Sequence, residues 1–264
     1  MTKIIILATL FLSPLISFAR NAFLLPPSEQ KVAEQVVSIF ENDTPRIQYD
    51  YIEKLKDWKE RGLTFGRSGF TSCQDGFQVL QQIQKSDRTH ELVQFLPLMK
   101  SAADGSISCS SSVRSIQARN FISLFKKYGN QILVKKAQDD IYQLRYLNPT
   151  LGLMKKYSLN HFWSFVVLLD TFIQHGEGDD GIELILKQIS VKIPQTDSQE
   201  YEWIQIFLNK RYNVLSTGDA EWQQSTPRVT VLRQLTQKYF YASAQIIQIR
   251  SNEYGDFDLV LDRK

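Results

Sequence analysis

From Asp75 onward, apolar residues recur at helical spacing almost without pause, and this run limits the folds open to the chain more than any other feature. The pattern covers residues 77–85, 90–100, 113–128, 131–146, 161–174, 181–193, 200–215 and 229–238. Ahead of it, Val32, Ala33, Val36, Val37 and Phe40 predict one more helix, with Pro26-Pro27-Ser28 as a stop and candidate N-cap and Glu41-Asn42 as its end. Between these helices Ile47, Tyr49 and Tyr51 alternate with polar residues, and Gly62, Gly66 and Gly69 offer turns or bulges, which predicts a small sheet. The tail, 244–261, reads as extended, and the serine-rich stretch 101–112 as a surface loop. No repeat of 20 to 50 residues and no heptad run is present, so solenoids and coiled coils fall away. The expected fold class is α+β, mainly helical, with a small β-sheet near the N-terminus. At 264 residues and 43% hydrophobic, the chain can close one domain or two lobes around a cleft.

The N-terminus carries Lys3, an apolar stretch from Ile4 to Phe18 broken by Pro14, and small residues at Ser17 and Ala19. This is the pattern of a cleaved export signal over residues 1–19, leaving a mature domain of 20–264 that is secreted or periplasmic. The apolar run is short of the ~20 residues a membrane-spanning helix needs. Even Phe162 to Ile173 contains Ser164 and Asp170, so no membrane partner is expected. Formal charge is +3, and +2 once Lys3 is removed, with no basic stripe for nucleic acid. In an oxidising compartment Cys73 and Cys109 can pair if the fold brings them together. They and His90, His161 and His175 match no metal-ligand spacing, so no metal or cofactor is expected and each histidine reads as structural. Nucleotide-binding glycine loops and Gly-x-Ser-x-Gly elbows are missing as well.

A glutamate at a helix end, followed by a short sheet and more carboxylates, is by itself a weak hint of acid/base chemistry, because most such groups are solvated. The order of neighbours sharpens it. Ser38-Ile39-Phe40-Glu41-Asn42 is followed by Ile47-Gln48-Tyr49-Asp50-Tyr51-Ile52-Glu53, then by Arg61-Gly62-Leu63-Thr64-Phe65-Gly66 and Gly69-Phe70. These linked blocks resemble the N-terminal signature of the glycoside hydrolase family 46 chitosanases. The likeness continues through Ala137-Gln138-Asp139-Asp140, Asn148-Pro149, Asp170 to Asp180, Phe207 to Arg211 and Pro227-Arg228-Val229.

The resemblance implies a lysozyme-like fold of two lobes and an endo-acting enzyme that hydrolyses chitosan, with a polysaccharide as its partner and a monomer as its working form. Cleavage with inversion needs an acid on the leaving oxygen and a base that activates water. Glu41 matches the family's acid, and its place beside Phe40 on an apolar helix fits partial burial. For the base, Asp57 is the match counting forward from Tyr51-Ile52-Glu53 and Glu60 the alternative counting back from Arg61, since this segment is about two residues longer than in the family. Trp58 in that loop can stack on a sugar or simply pack. Thr64 matches the threonine that holds the attacking water, Arg61 the arginine of its block, and Asp75 a substrate-binding aspartate suited to a glucosamine ammonium group. Asp170 interrupts an apolar helix and needs a cation if buried; the resemblance supplies Arg211 and Arg228, in a network that reaches Glu41. Two other readings keep the scaffold. The lysines in Lys56-Asp57-Trp58-Lys59 favour an anionic wall polymer such as peptidoglycan, and a catalytically decayed carbohydrate-binding relative would keep Glu41 without a working base.

Overall fold

The computed structural model describes residues 23–179 and 181–262. The expected export signal, 1–19, and Asp180 lie outside the described residues. The chain opens with α1 (Pro27–Asn42), crosses a three-stranded sheet of β1 (Ile52–Glu53), β2 (Thr64–Phe65) and β3 (Phe70–Thr71), and continues with α2 (Gly76–Ser86), α3 (Leu96–Ala103), α4 (Cys109–Ala118) and α5 (Phe121–Tyr128). Then come α6 (Ile132–Tyr142), α7 (Asn148–Lys156), α8 (Phe162–His175), α9 (Ile182–Leu186), α10 (Asp197–Thr217), α11 (Ala220–Gln223) and α12 (Thr226–Tyr239). A hairpin of β4 (Ile246–Ser251) and β5 (Gly255–Val260) closes the chain. The fold is mainly helical with small antiparallel sheets.

Two separate hydrophobic cores give the molecule two lobes. One gathers α1, α7, α8, α9, α10, α12 and the terminal hairpin; the other gathers the small sheet with α2 through α6. The larger lobe forms around α8, which is buried from Phe162 to Phe172 because its sequence is apolar on every face. In the smaller lobe Phe65 stacks edge-on against Phe121 and Phe125, at 5.5 and 4.8 Å between ring centroids. A disulfide joins Cys73, just after β3, to Cys109 at the start of α4.

The small sheet is antiparallel in the order β1-β2-β3, with Thr64 opposite both Glu53 and Thr71. Gly66 sits at φ +74°, and a Cβ there would run into the Gln138 side chain, so the turn after β2 admits glycine alone. Several local expectations need correction. Ser28 is not the cap of α1, because Pro27 takes the first helical position and Pro26 the cap. The segment 113–128 breaks into α4 and α5 at Asn120, whose φ of +66° ends the helical path. The serine-rich stretch is partly helical: Ser108 caps α4 by accepting from the Ser111 amide, and Ser112 is buried. The stretch between the predicted helices 131–146 and 161–174 holds a further helix, α7, which opens on Asn148-Pro149 because proline is tolerated in the first turn.

Candidate active site

Glu41 is the penultimate residue of α1, where Asp43 in the left-handed region (φ 53°) turns the chain away. That position leaves its side chain 41% exposed, short of full burial. What fixes it is Arg228 of α12, whose Nη2 donates to Glu41 Oε1. Phe40 lies between Arg228, 5.4 Å from its ring, and Tyr254 of the terminal hairpin, packed edge-on at 5.0 Å. The last turn of α1 is thereby held from two sides.

Glu41 faces a cavity of about 300 Å³ that it shares with Thr64, Glu34, Arg67, Ser68 and Tyr142. Strand alternation explains Thr64: with Phe65 directed into the small-lobe core, its neighbour points the other way. The Thr64 Oγ1 is buried with no hydrogen-bond partner in the protein, as is Ser68 Oγ. A buried hydroxyl in that position costs roughly 1–3 kcal/mol unless a water or a substrate hydroxyl satisfies it.

The structure brings Glu41 and Thr64 together in this cavity, which none of the other candidates lines. Asp57, Glu60 and Arg61 all lie on the turn that joins β1 to β2, outside the lining of that cavity. There Asp57 Oδ2 accepts from Arg61 Nη1 at 3.1 Å, while Glu60 is exposed. Trp58 packs against the small-lobe core with Lys54 Nζ 3.7 Å above its ring, whereas Lys56 and Lys59 are exposed. Asp75, before α2, accepts from the Thr71 amide at 2.7 Å and pairs with Arg145 at 3.0 Å. Its charge and the burial around it push Tyr146 up to about 12, burial being the larger cause.

Behind Glu41, Asp170, Arg211 and Arg228 are joined by ion pairs. Asp170 is fully buried, with Arg211 Nη2 at 2.7 Å from one oxygen and Arg228 Nε at 3.3 Å from the other. These are charge contacts whose angles fall outside hydrogen-bond geometry. Burial opposes the charge on both arginines. Arg228, facing both Asp170 and Glu41, is nonetheless held above its ordinary value, whereas Arg211, with Asp170 beside it and Arg228 opposing, is held below it.

A second ion network, missed in the sequence, forms one wall of the cavity. Arg67 Nη2 donates to Glu34 Oε2 at 2.6 Å and Nη1 to Asp139, and its guanidinium lies 3.9 Å from the Tyr142 ring. Its backbone amide is held by Gln138 Oε1 at 2.9 Å, and Tyr49 donates to Asp139 at 2.8 Å. Glu34 and Glu41 lie two turns apart on α1, which is the one signal in the sequence that a second carboxylate shares this face.

His175, at the end of α8, accepts a hydrogen bond from Arg211 Nε at 3.3 Å. Burial first, then the charges of Arg211 and Arg228, push its imidazole down to about 3 from 6.5. Below pH 6.5 the unfolded chain takes up a proton that the native protein refuses. The stability this group contributes is therefore full above 6.5 and is lost as pH falls toward 3, at about 1.4 kcal/mol per pH unit. Urea unfolding between pH 6.5 and 5 should show this slope in the parent and a shallower one in His175→Gln; identical slopes would contradict the assignment. Elsewhere, His161, Asp197 and Glu200 bring ligand atoms within 4.8 Å of one another. The Glu200 carboxylate, however, accepts from the Asn160 and His161 amides and from Ser164 Oγ, and so serves as the cap of α8.

Comparison with known proteins gives a consistent picture. The family model described as glycosyl hydrolase family 46 matches residues 35–244. A chitosanase of Bacillus subtilis (strain 168) is 33% identical over 261 residues, covering 94% of this chain and 91% of the relative. Among solved structures, the native chitosanase of Bacillus subtilis MY002 is 30% identical with a TM-score of 0.74, covering 89% of this chain and 99% of that one. A mutant of that enzyme complexed with 6 GlcN has a TM-score of 0.75 at 30% identity, with coverage of 89% and 100%. The Gynuella sunshinyii GH46 chitosanase in complex with chitotetraose has a TM-score of 0.77 at 29% identity, with coverage of 90% and 100%.

Proposed function

This chain belongs to glycosyl hydrolase family 46, as a glycoside hydrolase of the chitosanase kind, and from that membership we propose that it cuts β-1,4-linked glucosamine polymers internally and with inversion. Glu41 is the acid. Arg228 engages one of its oxygens, which leaves the other to carry the proton to the glycosidic oxygen as the bond breaks. Asp57 is the base that takes a proton from the attacking water, and Thr64 holds that water with a hydroxyl able to donate and accept. Attack from the face opposite the leaving group inverts the anomeric carbon in one step. Asp75, with Thr71 and Arg145 fixing its carboxylate, meets an amino group of the substrate, and Arg61 holds the Asp57 carboxylate in place.

The observation that carries this reading is the shared cavity of Glu41 and Thr64, with Glu41 held by Arg228 and the Thr64 hydroxyl unsatisfied by protein. Complexes of relatives with GlcN and chitotetraose support the substrate class. Export follows from residues 1–19 read as a cleaved signal, and the Cys73–Cys109 disulfide supports an oxidising destination. Among the described residues no helix is long and apolar enough to cross a membrane. The mature chain acts as a monomer and takes no nucleic acid partner.

Proton NMR of glucosamine-hexamer hydrolysis tests both the stereochemistry and the base. The parent should release α-anomers first, Asp57→Asn should lose roughly 10²–10⁴-fold in kcat, and Glu60→Gln should stay near the parent rate. Release of β-anomers would refute inversion, and a silent Glu60→Gln beside an active Asp57→Asn would transfer the base to Glu60.

A further inference from the structure

We infer that His175 is a positioning residue of this active site, a lone-pair acceptor that sets the orientation of Arg211 and, through Asp170 and Arg228, that of Glu41. The inference rests on the reading of Glu41 as the acid. His175 ends α8, and Gly176 (φ +73°) turns the chain away immediately after it. Arg211 is fully buried and is gripped on distinct atoms: its Nε donates to His175 Nε2 at 3.3 Å, and its Nη2 meets both Gln174 Oε1 and Asp170 Oδ2. A guanidinium is planar, so anchoring Nε together with Nη2 fixes the plane as well as the place. Asp170 then presents its other oxygen to Arg228 Nε, and Arg228 reaches Glu41. The order His175, Arg211, Asp170, Arg228, Glu41 runs from behind the cleft to the proposed acid.

The chemistry at position 175 is restricted. The charged groups facing it are Arg211 and Arg228, with Asp170 across Arg211. A cation here would be repelled by both arginines. A carboxylate would compete with Asp170 for Arg211 and disturb the balance of two guanidinium groups against Asp170 and Glu41. A neutral imidazole accepts the Nε–H without adding charge, and Trp222, packed edge-on at 4.9 Å, covers its ring. Burial and the two arginines keep it in that neutral form.

The test is steady-state kinetics on glucosamine oligomers, with thermal unfolding measured beside it, for the parent, Glu41→Gln, His175→Leu, His175→Gln and His175→Asn. Gln carries an oxygen to the position of Nε2, whereas the shorter Asn does not reach Arg211. His175→Leu should lower kcat roughly 10- to 100-fold, the penalty of a catalytic group displaced by about an ångström, and should leave KM within about twofold. His175→Gln should recover most of the loss and His175→Asn should not. A His175→Leu enzyme with the parent kcat, a Gln variant no better than Asn, or a loss confined to KM would overturn the inference. Should the Leu variant fail to fold, the Gln and Asn pair decides alone. If instead Glu41→Gln keeps the parent rate, the reading of Glu41 falls, and that result is distinct from a failure at His175.

Discussion

Glu41→Gln is expected to lower chitosan turnover roughly 10²–10⁴-fold while the protein stays folded. Glutamine matches the shape of glutamate and can still accept from Arg228, so the end of α1 should keep its contacts with Phe40 and Arg228. What it lacks is a proton to give at the moment the glycosidic bond breaks. The Glu41 side chain is itself 41% exposed, and the buried Arg228 keeps Asp170 as a counter-charge, so melting should change little. A substrate with an activated leaving group needs less protonation and should recover part of the rate. Turnover of chitosan at the parent rate would remove Glu41 from the acid role.

Asp170→Asn should be the most damaging single exchange away from the cavity. It withdraws the one carboxylate that meets both buried arginines, at 2.7 and 3.3 Å, and leaves two cations facing each other inside α8, α10 and α12. Breaking a buried pair in this way costs about 3–5 kcal/mol. For a domain of this size that lowers Tm by on the order of 10 °C. Activity assayed well below the new midpoint should fall as well, since Arg228 then loses the partner that aims it at Glu41. An unchanged melting curve with full activity would show that the network does neither.

The parts legible in the sequence were those with local or periodic signals. The uninterrupted apolar run of α8 marked a buried helix, and Asp170 within it required a cation, which the structure supplies as Arg211 and Arg228. Three glycines between Gly62 and Gly69 marked the turns of the small sheet, and all three take positive φ. The misses have physical causes. The helix α7 begins at Asn148-Pro149, a pair that reads as a break unless the preceding turn already carries the chain into helix. The two-lobed packing came from family resemblance, because helical spacing reveals a buried face without its partner. Arg67 was passed over as part of a glycine-flanked turn, since Glu34 and Asp139 lie 33 and 72 residues away and nothing periodic connects them. His175 gave no sign of a task, because its partner Arg211 is 36 residues on, beyond α9 and most of α10. The choice between Asp57 and Glu60 stayed open for a different reason: both sit on one turn, where register alone separates them.

In the proposed mechanism Glu41 protonates the leaving oxygen of a glucosamine polymer. Its most direct test is mass spectrometry of products from fully deacetylated chitosan oligomers, incubated with the mature protein and with Glu41→Gln. Shorter glucosamine oligomers are expected from the parent and intact substrate with the variant. Intact substrate with the parent, above all beside turnover of peptidoglycan or binding without cleavage, would contradict it.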